Sequence, residues 1–488
     1  MSGGRERGAL AIVLHTHMPY VEGFGTWPFG EEWLWEAMAG SYLPLLDLLD
    51  GGAPLTLSLT PVLCDQLEAP DLAVRFGTFV QEVRRDTHAR DAAGLRDGGY
   101  EQLALELERA WGDYERALAS LERRGGDVLG AFARHAQWTS SATHAVLPLL
   151  ASDAGVRLQV REGIASHRRR FGEWRGGFWL PECGHAAWLE SLLESEGVAA
   201  TCIELTGRFG LGASEHLQPL ASESGILLAP IDRATIAFVW SGDGYPAGGA
   251  YRDYHHHTIH HHNPWGNDGD AYDHERALAQ ARADAADFVA RTRERLRSAG
   301  AGARDPLPLG GLVVCALDTE LLGHWWYEGV DWLTAVIEEC SRQGLELVRL
   351  DDALERCEPA VAPAGVTSPA GATSPAGLEP GAGTWGQGGD LSTWSGPAVA
   401  DMAFATRRAE LELVAAGGRA SSAAVRELLA LQASDWPFMV SRGIAVPYAR
   451  RRFDGHRAAL ARALAGEGDG EALRLLAAGA DGAALREP

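Results

Sequence analysis

Lysine is absent: all 43 basic side chains of the 488-residue sequence are arginine, set against 66 aspartates and glutamates, for a formal charge of −23. Without lysine there is no Schiff-base chemistry, no anchor for pyridoxal phosphate and no P-loop of the kind that needs its lysine. The acidic excess repels phosphate backbones, so no nucleic-acid partner is expected, whereas a neutral ligand is not penalised. Cysteine is scarce too. The six, at 64, 183, 202, 315, 340 and 357, form no CxxC pair, which excludes a zinc ribbon or a secreted disulfide frame and predicts reduced, mostly buried thiols. Long apolar runs are also missing near the start of the chain: Ala9 to Leu14 is too short for a signal sequence or a membrane span, so a soluble cytoplasmic protein with no membrane partner is expected. With 46% hydrophobic and 22% charged residues, the chain is long enough for two or three packed domains.

What is abundant is tryptophan, 16 in all. Broad rings suit neutral sugar faces and oily cores alike. Short apolar runs recur: ALAIVL (9–14) ending on His15, PLTLSLTPV (54–62), GGFWLPE (176–182), AATCIEL (199–205), GILLAPI (225–231) and GLVVCALD (311–318). They read as strands, the first buried on both faces, separated by helical stretches such as 185–196 and 272–298. This alternation predicts a parallel α/β architecture with its site at the strand C-terminal ends. Residues 77–134 have helical spacing and interrupt it as an insertion, so that 1–76 and 135–357 become two parts of one unit. Residues 232–271, rich in Gly, His, Tyr and Asp, read as a long loop of the functional kind. Residues 358–384 are a Pro/Ala/Gly linker with an imperfect TSPAG repeat, followed by a helical domain over 385–465 and a tail, 466–488, expected as a loosely docked helix.

His15 and His17 flank Thr16, so at strand period two their imidazoles share a face. Such a pair opens some metal-dependent hydrolases; a hydrogen-bonded pair lining a polar pocket is the stronger reading, and no metal is assigned. The tract HHHTIHHH (255–262) reads as a solvated loop. Glu182 ends GGFWLPE beside Trp179, and Asp318 ends LVVCAL in the same manner, two carboxyls at the mouth of one sheet. One nucleophile and one proton donor from different strand ends are what retaining cleavage of a glycosidic bond requires. Either acid alone would be read as a salt bridge or cap. The loop TELLGHWWYEG (319–329), with Trp325 and Trp326, shifts the balance toward a sugar-lined cleft.

LHTHMPYV (14–21), WPFGEEWLWEAMAGSYLPLL (27–46), TSSATHAVLPLL (139–150), FWLPECGH (178–185), LDTELLGHWWYEGV (317–330) and LLALQASDWPFMVSRG (428–443) together resemble glycoside hydrolase family 57, and within it the 1,4-α-glucan branching enzymes. The resemblance covers nearly the whole chain apart from the linker and tail. It implies a (β/α)7 barrel with an inserted helical subdomain and a C-terminal helical domain. It also implies a retaining activity on α-1,4-glucans, with transfer of the cleaved chain to a 6-hydroxyl and no cofactor. By motif, Glu182 is implied as nucleophile and Asp318 as general acid/base. His15, His17 and His144 would line the subsite of the reacting glucose, with Trp27 in the same cleft. Trp385 and Trp394 resemble paired aromatics closing over the glucan, Tyr245 resembles a shielding tyrosine on a mobile loop, and Asp435 and Trp436 sit in the last family region. The 255–262 tract and Arg276 depart from the family pattern on the acceptor side. An α-amylase or 4-α-glucanotransferase of the family is the nearest alternative; a metal-dependent polysaccharide hydrolase and a non-catalytic glucan-binding protein are the more distant ones.

Overall fold

The computed structural model describes residues 8–26, 29–302, 310–357, 359–361, 382–417, 420–467 and 471–486. Trp27 and most of the 358–384 linker lie outside the described residues. The described residues form ten strands: β1 (Ala9–Thr16), β2 (Thr56–Leu59), β3 (Ala136–Ser140), β4 (Phe178–Trp179), β5 (Ala200–Ile203), β6 (Leu220–Ala221), β7 (Leu227–Pro230), β8 (Leu312–Asp318), β9 (Glu346–Leu347) and β10 (Ala360–Val361). The unbroken apolar run of β1 is buried along its whole length, its edges paired by strands on both sides and its two faces packed in the main apolar core. It pairs in parallel with β8 from Ala9↔Leu312 to His15↔Asp318, and with β2 from Val13↔Thr56 to Thr16↔Leu59. That register brings His15 and Asp318 to the same rim.

One sheet runs β4-β3-β2-β1-β8 and the other β10-β6-β7-β5. They are joined at two seams: Gly177 bridges Ala200 in parallel, and Asp232 N, just past β7, donates to Val314 O of β8 at 2.9 Å. Seven parallel strands, β1, β2, β3, β4, β5, β7 and β8, thereby close a barrel, as the family resemblance implied. β6, β9 and β10 sit at its margins. All six cysteines are free and buried.

The helix Glu101–Arg123 packs on Arg85–Asp97 through Ala92, Ala104 and Leu107. At the C-terminal side, the helices Ala400–Ala416, Ser422–Leu431, Asp435–Ser441 and Val446–Leu464 share one apolar core with Tyr20, Val62, Ala142 and Leu158 of the barrel. This contact carries Ser434 and Asp435 to the rim of β1 and β3. The tail differs from the docked helix expected of it. Arg474 and Ala477 take left-handed backbone (φ 45° at each), which no helix accommodates. Turns instead bury Leu473, Leu476 and Leu485, with Tyr20 Oη donating to Leu473 O (2.7 Å) and Ala477 N to Asp65 Oδ2 (2.8 Å). On the opposite side, Gly40 and Gly323 meet backbone to backbone, and a Cβ on either would run into the other's carbonyl. That approach lets Tyr42 reach Glu320.

Candidate active site

The polar rim begins with three histidines. His15 Nδ1 is joined to Ser58 Oγ (3.2 Å) and its Nε2 to His144 Nε2 (2.9 Å), one ring donating and the other accepting. His144 Nδ1 reaches Ser434 Oγ (2.8 Å), while His17 is held by Thr60 Oγ1 (3.2 Å) and Asp435 Oδ1 (2.9 Å). The rings are stacked, His17 on His144 at 4.0 Å and His15 on Trp179 at 4.8 Å. Burial holds the pKa of His15 and of His144 well below the usual imidazole value, so both are neutral hydrogen-bonding groups. Every ring nitrogen of the three has a protein partner, which is the hydrogen-bonded arrangement favoured over metal ligation. Among the described residues, no group of three or more His, Cys, Asp or Glu is placed to hold a metal ion.

Glu182 follows β4 in a tight turn with φ 62° and ψ 22°, and His144 has φ 59°. Non-glycine residues held in this region cost on the order of 1–3 kcal/mol each and persist where the surroundings impose them. At Glu182 the imposition comes from across the chain: its carbonyl accepts from Trp385 N (3.1 Å) and Thr384 Oγ1 (2.7 Å), and its Oε2 accepts from Trp385 Nε1 (3.0 Å). Burial, then the charge of Asp318, pushes the Glu182 carboxyl up to about 8. Burial likewise raises Asp318 to about 6.

Glu182 and Asp318 open onto one cavity of about 890 Å3, together with His15, His17, His144, Trp325, Trp385, Trp394 and Asp435. Asp435 spends Oδ1 on His17, and its buried Oδ2 has no protein partner, leaving an acceptor for a ligand hydroxyl. Trp385 is half-buried and Trp325 exposed, whereas Trp394 is buried against Val146 and Leu391.

Three expected cleft aromatics lie elsewhere. Trp179 is fully buried behind the cavity, stacked under His15 and edge-on to Trp385 at 5.1 Å. Trp436 is fully buried in the C-terminal core: its Nε1 donates to Ala430 O at 2.8 Å and its ring stacks on His456. Trp436→Ala is therefore expected to cost about 3–5 kcal/mol in a denaturant titration, the penalty of emptying a large core site. A cleft residue would instead raise KM and leave stability alone. Tyr245 does not line the cavity; its hydroxyl donates to Asp287 at 2.8 Å and its ring lies against Trp332. The aromatics that this loop turns to the cavity are Trp240, half of whose surface is exposed, and Tyr254.

Sequence reasoning missed Ser434, Trp240 and Glu320. Glu320, buried two residues past Asp318, accepts from Tyr42 Oη (2.6 Å) and His17 N (3.1 Å), and burial pushes its carboxyl up to about 8. Its position in DTEL was the available signal.

A closed parallel barrel that presents two half-buried carboxyls, neutral imidazoles and indoles to one cavity is built as a carbohydrate-active enzyme of the glycosidase type. The model of glycosyl hydrolase family 57 matches residues 137–364, and that of the 1,4-α-glucan branching enzyme C-terminal domain matches 398–475. A 1,4-α-glucan branching enzyme of Thermococcus kodakarensis is 30% identical over 511 residues, covering 91% of this chain and 72% of its own. The chain belongs to glycosyl hydrolase family 57. A crystal structure of a family 57 branching enzyme from that organism, in complex with glucose, superposes with TM-score 0.85 at 28% identity, covering 99% of this chain and 97% of the other. The family 57 branching enzyme of Pyrococcus horikoshii gives 0.82 at 29%, over 96% and 93%.

Proposed function

We propose that the protein is an α-glucan branching enzyme: it cleaves an α-1,4 bond with retention and transfers the released chain to the 6-hydroxyl of another glucan. The carrying observation is the pair Glu182 and Asp318, delivered by β4 and β8 to one cavity. A Glu182 carboxylate oxygen attacks the anomeric carbon while Asp318 gives its proton to the departing 4-oxygen. The glucosyl ester is then broken by the acceptor 6-oxygen, whose proton returns to Asp318. Asp435 Oδ2 supplies an acceptor to the reacting glucose, and the mutually bonded imidazoles of His15, His17 and His144 form the polar wall beside it. Trp385 both holds Glu182 and lines the path of the chain.

The proton must stand on Asp318 for this to work. Burial raises both carboxyls, and at Glu182 the Asp318 charge adds to it. A bound glycosidic oxygen at Asp318 favours its protonated form, and the Trp385 N–H favours the Glu182 carboxylate. Water exclusion from the ester falls to Trp240, Trp385 and Trp394. The natural polymer would be glycogen or a related polysaccharide. Free thiols at all six cysteines support a cytoplasmic location, and among the described residues no helix is long and apolar enough to cross a membrane.

Amylose incubated with the enzyme is expected to gain α-1,6 proton signals by NMR without matching growth of reducing ends. Predominant reducing ends would make it an amylase. New chain lengths with neither signal would make it a 4-α-glucanotransferase.

A further inference from the structure

The cavity extends well beyond the two carboxyls, toward a wall formed by the histidine tract, and this wall is built rather than loose. Asp91 takes His260 Nδ1 (2.6 Å) and the Thr258 hydroxyl, Arg84 Nη1 donates to His260 O (2.9 Å), and Asn263 Nδ2 donates to the carbonyls of Asp253, Tyr254 and His256. Thr258 N closes the turn onto His262 O (2.8 Å) and holds His261 in left-handed backbone, φ 61°. The solvated loop expected from the sequence is thus a tied turn. Its consequence is that His255, His257 and His261, all exposed, line the same cavity as Glu182 and Asp318. Beside them Tyr254 and Trp325 lie 4.5 Å apart between ring centroids at 33°, and Trp325 keeps 41% of its surface exposed.

We propose that Trp325, Tyr254 and the imidazoles of His255, His257 and His261 form a second glucan-binding arm, which seats the acceptor chain. The proposal rests on the branching reading and specifies where its second substrate sits. An aromatic pair offers a face to the apolar side of a sugar ring. Imidazole nitrogens facing the cavity can meet sugar hydroxyls, and at His257, whose Nδ1 is taken by Thr258 O (3.0 Å), Nε2 is the one to do so. The arginines of this wall are already matched, Arg84 by Glu32 (2.7 Å) and Glu36 (2.5 Å) and Arg252 by Glu106, so neither is left as a free cation for an anionic ligand. A neutral chain is the ligand it fits.

Two readouts test it in the full-length protein. The variants are Trp325→Ala and the triple His255→Ala/His257→Ala/His261→Ala, with Ile259→Ser as control, since Ile259 is 80% exposed on the same turn and does not line the cavity. On amylose, the ratio of α-1,6 linkages to new reducing ends is expected to fall about tenfold in each test variant, equivalent to ~1.4 kcal/mol, and to be unchanged in the control. Trp325→Phe, which keeps a ring, should recover most of the ratio. In a Glu182→Gln background, calorimetric titration with maltoheptaose should show weaker binding or a lost second site for the same variants. Equal loss of transfer and hydrolysis, or unchanged ratio and binding, overturns the arm. If the parent enzyme makes only reducing ends, the branching reading fails by itself, and the titration decides whether the arm binds glucan.

Discussion

Glu182→Gln should abolish cleavage of α-1,4 bonds, by a factor on the order of 10^4 or more, while leaving glucan binding in place. The amide keeps the shape of the carboxyl and can still accept the Trp385 N–H that now reaches Oε2 at 3.0 Å, so the clamp on the strained turn survives. Nucleophilicity is what disappears. Stability should move the other way. Burial and the Asp318 charge raise the Glu182 carboxyl from its ordinary 4.5 to about 8, so the native state binds more protons than the unfolded chain between those values. Stability conferred by the neutral carboxyl is present below pH 4.5 and is lost as pH rises toward 8. Glutamine cannot ionise, and the variant should melt a few degrees higher than the parent at pH 8, a gain on the order of 1–3 kcal/mol, with little difference at pH 4.5. Activity within tenfold of the parent in kcat on amylose would refute the nucleophile assignment; a lower melting point at pH 8 would refute the burial argument.

The barrel was legible where its strands are buried on both faces. ALAIVL and LVVCAL have no alternation to confuse them, and their register alone sets His15 beside Asp318. β3 was not legible, because AQWTS hides its polarity only in the tertiary structure: Thr139 Oγ1 donates to Gly163 O and Ser140 Oγ to Trp179 O. Asp435 and Trp436 show the same limit within the site. Neighbours on a helix point about 100° apart, so one of the pair could face the cavity while the other entered the core. The motif names both, and only packing reveals that Asp435 reaches His17 while Trp436 binds Ala430 O. Tyr245 fails for a related reason, since its partner Asp287 lies 42 residues away. Trp385 was legible by resemblance, but its bond to Glu182 spans 203 residues of sequence, and no local pattern encodes it.

Asp318→Asn gives the sharper test of how the two carboxyls divide the work. Loss of the general acid should lower kcat on amylose by roughly 10^2–10^4, and should cost far less on an α-maltosyl donor whose leaving group needs no proton. The pH profile carries the rest. In the parent, the acidic limb reports protonation of the nucleophile and the alkaline limb loss of the acid's proton, with both apparent values belonging to the coupled pair. Burial is the largest cause of the raised Glu182 carboxyl, and the Asp318 charge is the next. Removing that charge leaves burial and the smaller Asp435 charge opposed by the Trp385 hydrogen bond, so Glu182 ionises more readily and the acidic limb shifts to lower pH. On the activated donor the alkaline limb should vanish in the same variant, because no proton then remains to be lost from residue 318. An acidic limb that stayed in place would mean that the two carboxyls do not feel each other across the cavity. A limb shifted upward would mean that Asp318 stabilises the Glu182 carboxylate, and the acid and nucleophile would have to be reassigned between β4 and β8.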